Sequence, residues 1–210
     1  MRVFLTWTVL LIMAVGLTAG CVSGIPTPAG TEPEYVDPGT KGPGAGTGME
    51  SQDIVSMADA MMRDMMANPI LASQTSPPTV IIDEKYFTNE SDQRINKQLI
   101  TDRLRIDLNR AANGRMRFVA RHAVDMVEHE RELKREGKVT GGKHYAEKTL
   151  GADYRLTGRI TSSTSIKATT GMASRFFQVI FEMVDLETGE LVWSNYYEFK
   201  KAGQDDVIYR

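Results

Sequence analysis

The chain has 210 residues, and its 25 basic and 27 acidic side chains give a formal net charge of −2 at pH 7. This near-neutral balance lacks the clustered positive charge that a nucleic-acid-binding surface requires. A single cysteine excludes an intramolecular disulfide, so the folded part of the chain must be held by its own hydrophobic core.

The first twenty residues have the pattern of an export signal. Arg2 is the only charged residue of this segment, and an apolar run over 3–17 follows it. The run is shorter than the roughly 20 residues that a membrane-spanning helix needs, and small residues separate it from Cys21. We therefore predict that residues 1–20 are an export signal. It is a lipoprotein signal peptide if the run around Cys21, described next, is a lipidation site, and the alternative is an ordinary cleaved signal followed by a free or core-packed thiol.

The run Leu17-Thr18-Ala19-Gly20-Cys21 resembles the lipobox of bacterial lipoproteins. The resemblance implies a diacylglycerol thioether on Cys21, cleavage just before it, and acylation of the new amino terminus. Two or more acyl chains hold a protein stably on a bilayer. Because Val22 rather than aspartate follows the cysteine, the resemblance further implies the outer membrane, on its periplasmic side.

Residues 22–50 are predicted to be a disordered tether that follows the lipidated cysteine. Seven of these 29 residues are glycine and five are proline, and few are apolar. Such a segment buries too little surface to offset the entropy of ordering. The glycine-rich part lacks the Gly-Lys-Ser/Thr ending of a phosphate-binding loop, so no nucleotide site is predicted there.

A globular domain is predicted over residues 51–210, beginning with a helix from Ser51 to about Ala67. The helical spacing of Ile54, Met57, Met61 and Met65 predicts one apolar stripe along it. Methionine-rich surfaces can also bind partner helices. We favour a stripe that docks on the domain's own sheet.

The middle of the domain is predicted to alternate strands and helices. A strand over 79–87 precedes a helix from Ser91 to about Ala112, which Asn113-Gly114 ends in a left-handed conformation. A short strand over 115–120 and a charged helix over 122–136 come next. The predicted inward residues are Ile95, Leu99, Ile100, Leu104, Leu108 and Ala111 on the first helix, and Ala123, Met126, Val127 and Leu133 on the second. A short helix over 143–150 completes this part.

The last part of the chain is predicted to be an antiparallel three-stranded meander. Apolar residues alternate along each strand, at Tyr154, Leu156, Ile160 and Ile166, then Phe177, Val179, Phe181 and Met183, then Leu191, Trp193, Tyr197 and Phe199. The polar stretch 161–171 is predicted to be an exposed, mobile hairpin end, and 185–190 a tight turn with Gly189 at positive φ. The expected fold is α/β, or mixed α+β: a mixed sheet whose first two strands are parallel through a right-handed crossover, with helices packed on it.

No catalytic constellation is visible in the sequence, and we predict that the protein is not an enzyme. The histidines are His122, His129 and His144, and none has the spacing of a zinc site. No Gly-x-Ser-x-Gly motif is present. We expect no cofactor, no metal, no small-molecule substrate and no nucleic-acid partner.

Four stretches resemble the LpoB family of penicillin-binding-protein activator lipoproteins. They are residues 97–108, 117–121, 151–160 and 184–194, and the layout of signal, tether and domain agrees with them. The resemblance implies a domain like the TolB amino-terminal module on an outer-membrane lipoprotein. It also implies that this domain binds a bifunctional penicillin-binding protein and raises its peptidoglycan-synthesising activity. The alternative is an accessory lipoprotein of an envelope secretion or assembly system, since curli-type lipoproteins have similar hairpins.

The expected contact surface for such a partner lies around the hairpin end 161–171. Arg159, Arg175, Thr164 and Thr169 are the candidate residues, because they combine expected exposure with donors suited to carboxylates. The family's other contact residues are not transferred, and the tether here is shorter than in well-known members.

Overall fold

The structure is a computed structural model that describes residues 34–42, 46–72, 76–140 and 148–204. The predictions for the signal peptide and Cys21, and most of the helix predicted over 143–150, lie outside these ranges. Every helix and strand of the described ranges belongs to one compact unit. None of these helices combines the length and apolar character needed to cross a membrane.

Helix α1 runs from Ser51 to Ala67, as predicted. The carboxylate of Asp53 accepts a hydrogen bond from the backbone N–H of Glu50 at 2.7 Å, which satisfies a donor just before the first turn. Met57, Met61 and Met65 are at most 3% exposed. The methionine stripe is therefore part of the domain's own core, as we favoured, and a single helical turn, Pro69–Ala72, follows it.

Helix α2 runs from Lys97 to Ala112, six residues shorter than predicted. Residues 91–96 form a loop, and the side chain of Asn96 caps the helix by accepting a hydrogen bond from the N–H of Gln98 at 3.0 Å. At the other end, Asn113 has φ 47° and Gly114 φ 85°, the left-handed ending that was predicted. Ile100, Leu104 and Leu108 are buried as predicted, whereas Leu99 is 59% exposed because it points away from their face.

The strand predicted over 79–87 is divided in two. Strand β1 covers Thr79–Ile81 and β2 covers Phe87–Asn89, with a 3₁₀ turn over Glu84–Tyr86 between them. The carboxylate of Asp83 starts this turn by accepting a hydrogen bond from the N–H of Lys85 at 3.1 Å. Strand β3, Arg117–Phe118, pairs parallel with β1, which confirms the predicted parallel pairing.

Helix α3, Val124–Arg135, follows a 3₁₀ turn over Arg121–Ala123. The prediction that Ala123, Met126, Val127 and Leu133 point into the core is wrong, since no residue of α3 or of this turn is buried: Met126 is 68% exposed, and Ala123 and Leu133 are only half-buried. Charged residues occupy most positions of this helix, and its closest contacts are with the preceding turn rather than the sheet. Its apolar side chains Val124, Met126 and Val127 line a groove beside the helix instead of packing into the core.

Three 14-residue strands form the predicted meander: β4 from Tyr154 to Lys167, β5 from Met172 to Asp185, and β6 from Leu191 to Gln204. The sheet order is β3-β1-β4-β5-β6, with β2 also beside β4. Both β1 and β2 are parallel to β4, so the sheet is mixed and the fold class agrees with the prediction.

The two hairpins of the meander differ in how well they were predicted. Gly189 has φ 77° in the loop 186–190, as expected. The other hairpin end is shorter than predicted, because β4 and β5 stay paired up to Lys167 and Met172. Ile166 and Leu191 are 70% and 54% exposed, because they lie at strand ends.

The core lies between the helices and one face of the sheet. Phe177, Val179, Phe181 and Met183 of β5 are fully buried and belong to the same cluster as the methionines of α1 and the leucines of α2. The alternate residues of β5 point to the other face and are only partly covered. The domain therefore has a closed, helix-covered face and a face that is more open to solvent.

Residues 46–50, assigned to the tether in the sequence analysis, pack on the domain. Thr47 is 1% exposed, and Met49 packs against the core. The N–H of Met49 donates to the side-chain oxygen of Gln93 at 3.2 Å. The packed part of the chain therefore begins before Ser51.

Candidate partner-binding surface

The structure does not bring the four predicted contact residues into one site. Thr164 and Arg175 are directly opposite each other on β4 and β5, on the helix-covered face. Arg159 lies on β4 with the opposite orientation, on the open side of the sheet. Thr169 is exposed in the loop 168–171 at the tip of the hairpin.

Arg175 is buried, contrary to its predicted exposure. It is 9% exposed, its Nε donates to Thr164 Oγ1 at 2.9 Å, and it lies 3.4 Å from Asp92 Oδ2. Thr164 and Ser162 donate to the two oxygens of Asp92 at 2.8 and 2.7 Å. Arg175 and Thr164 therefore join the loop before α2 to the stem of the hairpin, which gives both residues a structural role.

The network also shifts the ionisation of Asp92. Partial burial alone raises the pKa of this carboxyl, but the hydrogen bonds from Ser162 and Thr164 and the charge of Arg175 outweigh it. The pKa of Asp92 is therefore held below its usual value, which favours the charged form that the network needs.

A second cation on the helix-covered face, Lys201, also binds acceptors within the domain. Lys201, directly opposite Arg175 on β6, donates from Nζ to Asp53 Oδ2 at 2.7 Å and to the carbonyl oxygen of Gly48 at 3.0 Å. It also lies 3.3 Å from Glu50 Oε2. This lysine ties the residues that precede α1 to the edge of the sheet.

The other side of the meander presents side chains that have fewer internal contacts. We call this surface the open face and define it by alternate residues of the three strands: Arg155, Thr157, Arg159, Thr161 and Ser163 of β4; Phe176, Gln178, Ile180, Glu182 and Val184 of β5; and Ser194, Tyr196, Glu198 and Lys200 of β6. Each of them is half-buried or exposed.

The central row of the open face consists of Arg159, Ile180 and Tyr196, which are directly opposite one another on adjacent strands. Tyr196 is 57% exposed and Ile180 is half-buried between its two neighbours. The row crosses two strand spacings, about 10 Å. Arginine and tyrosine around an apolar centre are the residue types that most often dominate the energetics of protein interfaces.

Arg159 differs from the other arginine of the open face. Arg155 contacts both oxygens of Asp83, at 2.6 and 2.7 Å, and lies 4.4 Å above the ring of Tyr86. Within the described part of the chain, the side chain of Arg159 forms no hydrogen bond or ion pair. Its guanidinium keeps all of its donors for a planar acceptor such as a carboxylate on a partner.

The sequence analysis selected Arg159 but missed Ile180 and Tyr196. A signal for them was present, because Trp193, Tyr197 and Phe199 were predicted to alternate along the last strand and so to share one face of it. Strand alternation then places Tyr196 on the outer face, next to the strand that carries Ile180.

Potential metal ligands do not cluster in the described ranges. No group of three His, Cys, Asp or Glu residues there could hold a metal ion. His122 Nδ1 lies 3.1 Å from Arg105 Nη1, His129 is exposed, and His144 is outside those ranges.

A groove of about 690 Å³ lies beside α3, lined by apolar residues that include Phe118, Val127 and Leu150.

Comparison with known proteins gives one family. Residues 53–199 match the family model described as peptidoglycan-synthase activator LpoB, and no curated protein matches the sequence. Among solved structures, the LpoB C-terminal domain from Salmonella enterica is 15% identical, with 70% of this chain and 98% of that chain covered and a TM-score of 0.41. The LpoB C-terminal domain from Escherichia coli is 16% identical, with the same coverage and TM-score. Lipoprotein GNA1162 from Neisseria meningitidis is 17% identical, with 62% and 88% covered and a TM-score of 0.34.

Proposed function

The chain belongs to the LpoB family of peptidoglycan-synthase activators, and we propose that it is an outer-membrane lipoprotein that binds and stimulates a bifunctional penicillin-binding protein. The observation that carries this proposal is the family match over 53–199, which spans the domain from α1 to β6. An activator works by binding the active state of its target more tightly than the resting state. The domain acts on the synthase in this way and leaves the chemistry to it.

The proposal includes the anchor and the tether. Acyl chains on Cys21 hold the protein at the periplasmic side of the outer membrane, and residues 22–45 connect this anchor to the domain. A segment of 24 residues spans about 80 Å when fully extended. The tether thereby lets the domain reach a synthase whose own anchor is in the inner membrane.

The open face is proposed as the surface that meets the synthase. Its central row offers an arginine without an internal partner in the described chain, a half-buried isoleucine and an exposed tyrosine. The helix-covered face, in contrast, uses Arg175 and Lys201 for contacts within the domain. A complementary synthase surface would place a carboxylate opposite Arg159 and an apolar group over Ile180.

The test is the rate of glycan-strand polymerisation by each bifunctional synthase of the same cell, with and without this protein. The mature chain, with Cys21→Ser so that it stays in solution, should bind one synthase and raise its rate. It should produce no polymer from lipid-linked precursor alone. An absence of binding and of stimulation with every bifunctional synthase would reject the activator and favour the envelope-assembly accessory.

Variants of the open face test the surface separately. Arg159→Glu and Tyr196→Ala should each weaken synthase binding about tenfold or more, since central arginine and tyrosine side chains often contribute about 2 kcal/mol or more. Arg110→Glu and Leu99→Ala are the matched controls, because both residues are exposed on α2, away from the open face. Equal binding by all four variants would refute the surface and leave the activator function standing.

A further inference from the structure

Strand β6 is the edge strand of the sheet. Its 14 residues, Leu191–Gln204, pair with β5 on one side, and it ends the strand order. In the parts of the chain that the structure describes, no segment other than β5 forms backbone hydrogen bonds with it. A long edge strand offers a row of backbone donors and acceptors on its outer side, which a further strand can pair with.

We propose that the occupant of this edge is β6 of a second copy of the chain, paired antiparallel around a twofold axis at Phe199. The two sheets would then form one continuous sheet, with the helices of both copies on the same side. A twofold interface is self-complementary, so every contact occurs twice. In this register the number of each residue and that of its partner add up to 398.

The charges of the strand select this register. It places Glu198 of one copy opposite Lys200 of its partner, twice, and pairs of opposite charge across strands are stabilising. A twofold axis at Glu198 would place two carboxylates opposite each other, and an axis at Lys200 or Lys201 would do the same with two ammonium groups. An axis at Tyr197 would place no opposite charges together.

The side chains of this pair are available for the contact. Glu198 is exposed, and it accepts a hydrogen bond from Gln178 through one oxygen, Oε1, at 2.7 Å. Lys200 is exposed, and its side chain forms no hydrogen bond or ion pair with the described residues. Lys201, on the other face, keeps its contact with Asp53, because the register puts it opposite the neutral Tyr197.

The aromatic residues at the edge fit the same axis. Phe199 is half-buried, and its ring stacks on Phe177 with 4.9 Å between centroids. Tyr197 lies beside it, with 6.3 Å between the ring centroids. Pairing at Phe199 places the Phe199 rings of the two copies opposite each other, with each Tyr197 diagonal to the Phe199 of the other copy, and covers apolar surface that the monomer leaves partly open.

Disulfide trapping tests the register. Tyr196 and Ala202 are exposed and lie opposite each other across the proposed axis, because their numbers add up to 398. Opposite residues of an antiparallel pair have Cα atoms about 4.5–5.5 Å apart, within the range of a disulfide. Two copies of the same position would be about 20 Å apart, which no disulfide spans.

The experiment uses the mature chain with Cys21→Ser. An equimolar mixture of Tyr196→Cys and Ala202→Cys proteins should form a disulfide-linked dimer under mild oxidation, and neither protein alone should do so to a comparable extent. Linkage of either protein alone as fast as the mixture, or no linkage at all, would overturn the proposal.

Sedimentation of the same chain tests the charges. Glu198→Lys should raise the dissociation constant of the dimer about tenfold or more, because two attractive cross-strand pairs become repulsive. The double variant Glu198→Lys with Lys200→Glu exchanges the two charges and should restore dimerisation. A chain that stays monomeric at all concentrations, or a double variant as weak as the single one, contradicts the proposal. Synthase stimulation is not the readout, so the two proposals succeed or fail independently.

Discussion

Replacing Gly158 by alanine should destabilise the domain strongly, although the change adds one methyl group. Gly158 lies in the middle of β4, where β2 pairs with it on one side and β5 on the other. An alanine Cβ there would be 2.3 Å from the carbonyl oxygen of Ile180 and 2.6 Å from the ring of Phe87. Both distances are far below ordinary van der Waals contact.

The surroundings of Gly158 cannot move apart easily. Phe87 is 1% exposed, and its ring packs against Phe181 with 5.4 Å between centroids. The carbonyl oxygen belongs to the backbone of the paired strand β5. Overpacking a core costs about 1–3 kcal/mol, and a clash with backbone places this site at the upper end. At about 2–4 °C for each kcal/mol, the melting temperature should fall by about 6–12 °C.

The assay is thermal and urea unfolding of the mature chain, followed by circular dichroism. Gly203→Ala is the matched control, since it makes the same change in a strand where no atom lies within 4 Å of the added carbon. That control should stay within about 0.5 kcal/mol of the parent. Equal stability of the two variants would show that β2, β4 and β5 do not approach as closely as the structure has them.

Three further outcomes are expected. Asp92→Asn should lower the free energy of unfolding at neutral pH. The pKa of Asp92 is lowered in the folded state, so its contribution to stability is present above the unfolded-state pKa of about 3.9 and is lost as the pH falls through the folded-state value. In urea unfolding, the stabilities of the parent and the variant should therefore converge below about pH 4. Trp193→Phe should lower the free energy of unfolding by about 1–3 kcal/mol, since it removes the hydrogen bond of 2.7 Å from Nε1 to Asp64 and leaves a smaller ring in the core. Asp64→Asn, which changes only the acceptor of this hydrogen bond, should lower it by less. A chain that starts at Ser51 should melt below one that starts at Gly46, because it lacks Met49 and the Glu50 contacts to Asp53 and Lys201; equal melting temperatures would show that these residues do not stabilise the domain.

The elements with a clear period were predictable from the sequence. Helix α1 has its predicted bounds because four apolar residues repeat at helical spacing and Asn68-Pro69 follows them. Strand β5 was predictable because Phe177, Val179, Phe181 and Met183 alternate without interruption. In both cases the local pattern and the tertiary packing require the same orientation of the side chains.

The errors arose where tertiary contacts decide the outcome. A continuous strand over 79–87 agrees with local propensity, but the carboxylate of Asp83 binds Arg155 of β4 and starts a turn. Helix α3 has the residue pattern of a helix, and it forms although none of its residues is buried. The sequence predicts the helix, but it does not show whether the helix packs on the core.

Of the two arginines predicted for the candidate site, only Arg159 lies on the open face. Arg159 and Arg175 were chosen together because both carry a guanidinium close to the same hairpin. In the hairpin, the numbers of directly opposite residues add up to 339, so two odd-numbered residues on β4 and β5 point to different faces. The register between β4 and β5 is fixed by the exact position of the loop, residues 168–171. The sequence shows only a polar stretch of eleven residues there, which does not determine the register.

The division between the two faces also explains why stability and binding should respond to different mutations. On the helix-covered face, Arg175 and Lys201 each have a carboxylate of the same chain within 3.4 Å, so removing either cation leaves that carboxylate without its positively charged partner. On the open face, Arg159 has no such partner in the described chain, so its removal leaves nothing unsatisfied. A charge that the fold does not need is available for a second protein. Arg159→Glu should therefore change synthase binding at unchanged melting temperature, whereas Arg175→Met should lower the melting temperature first.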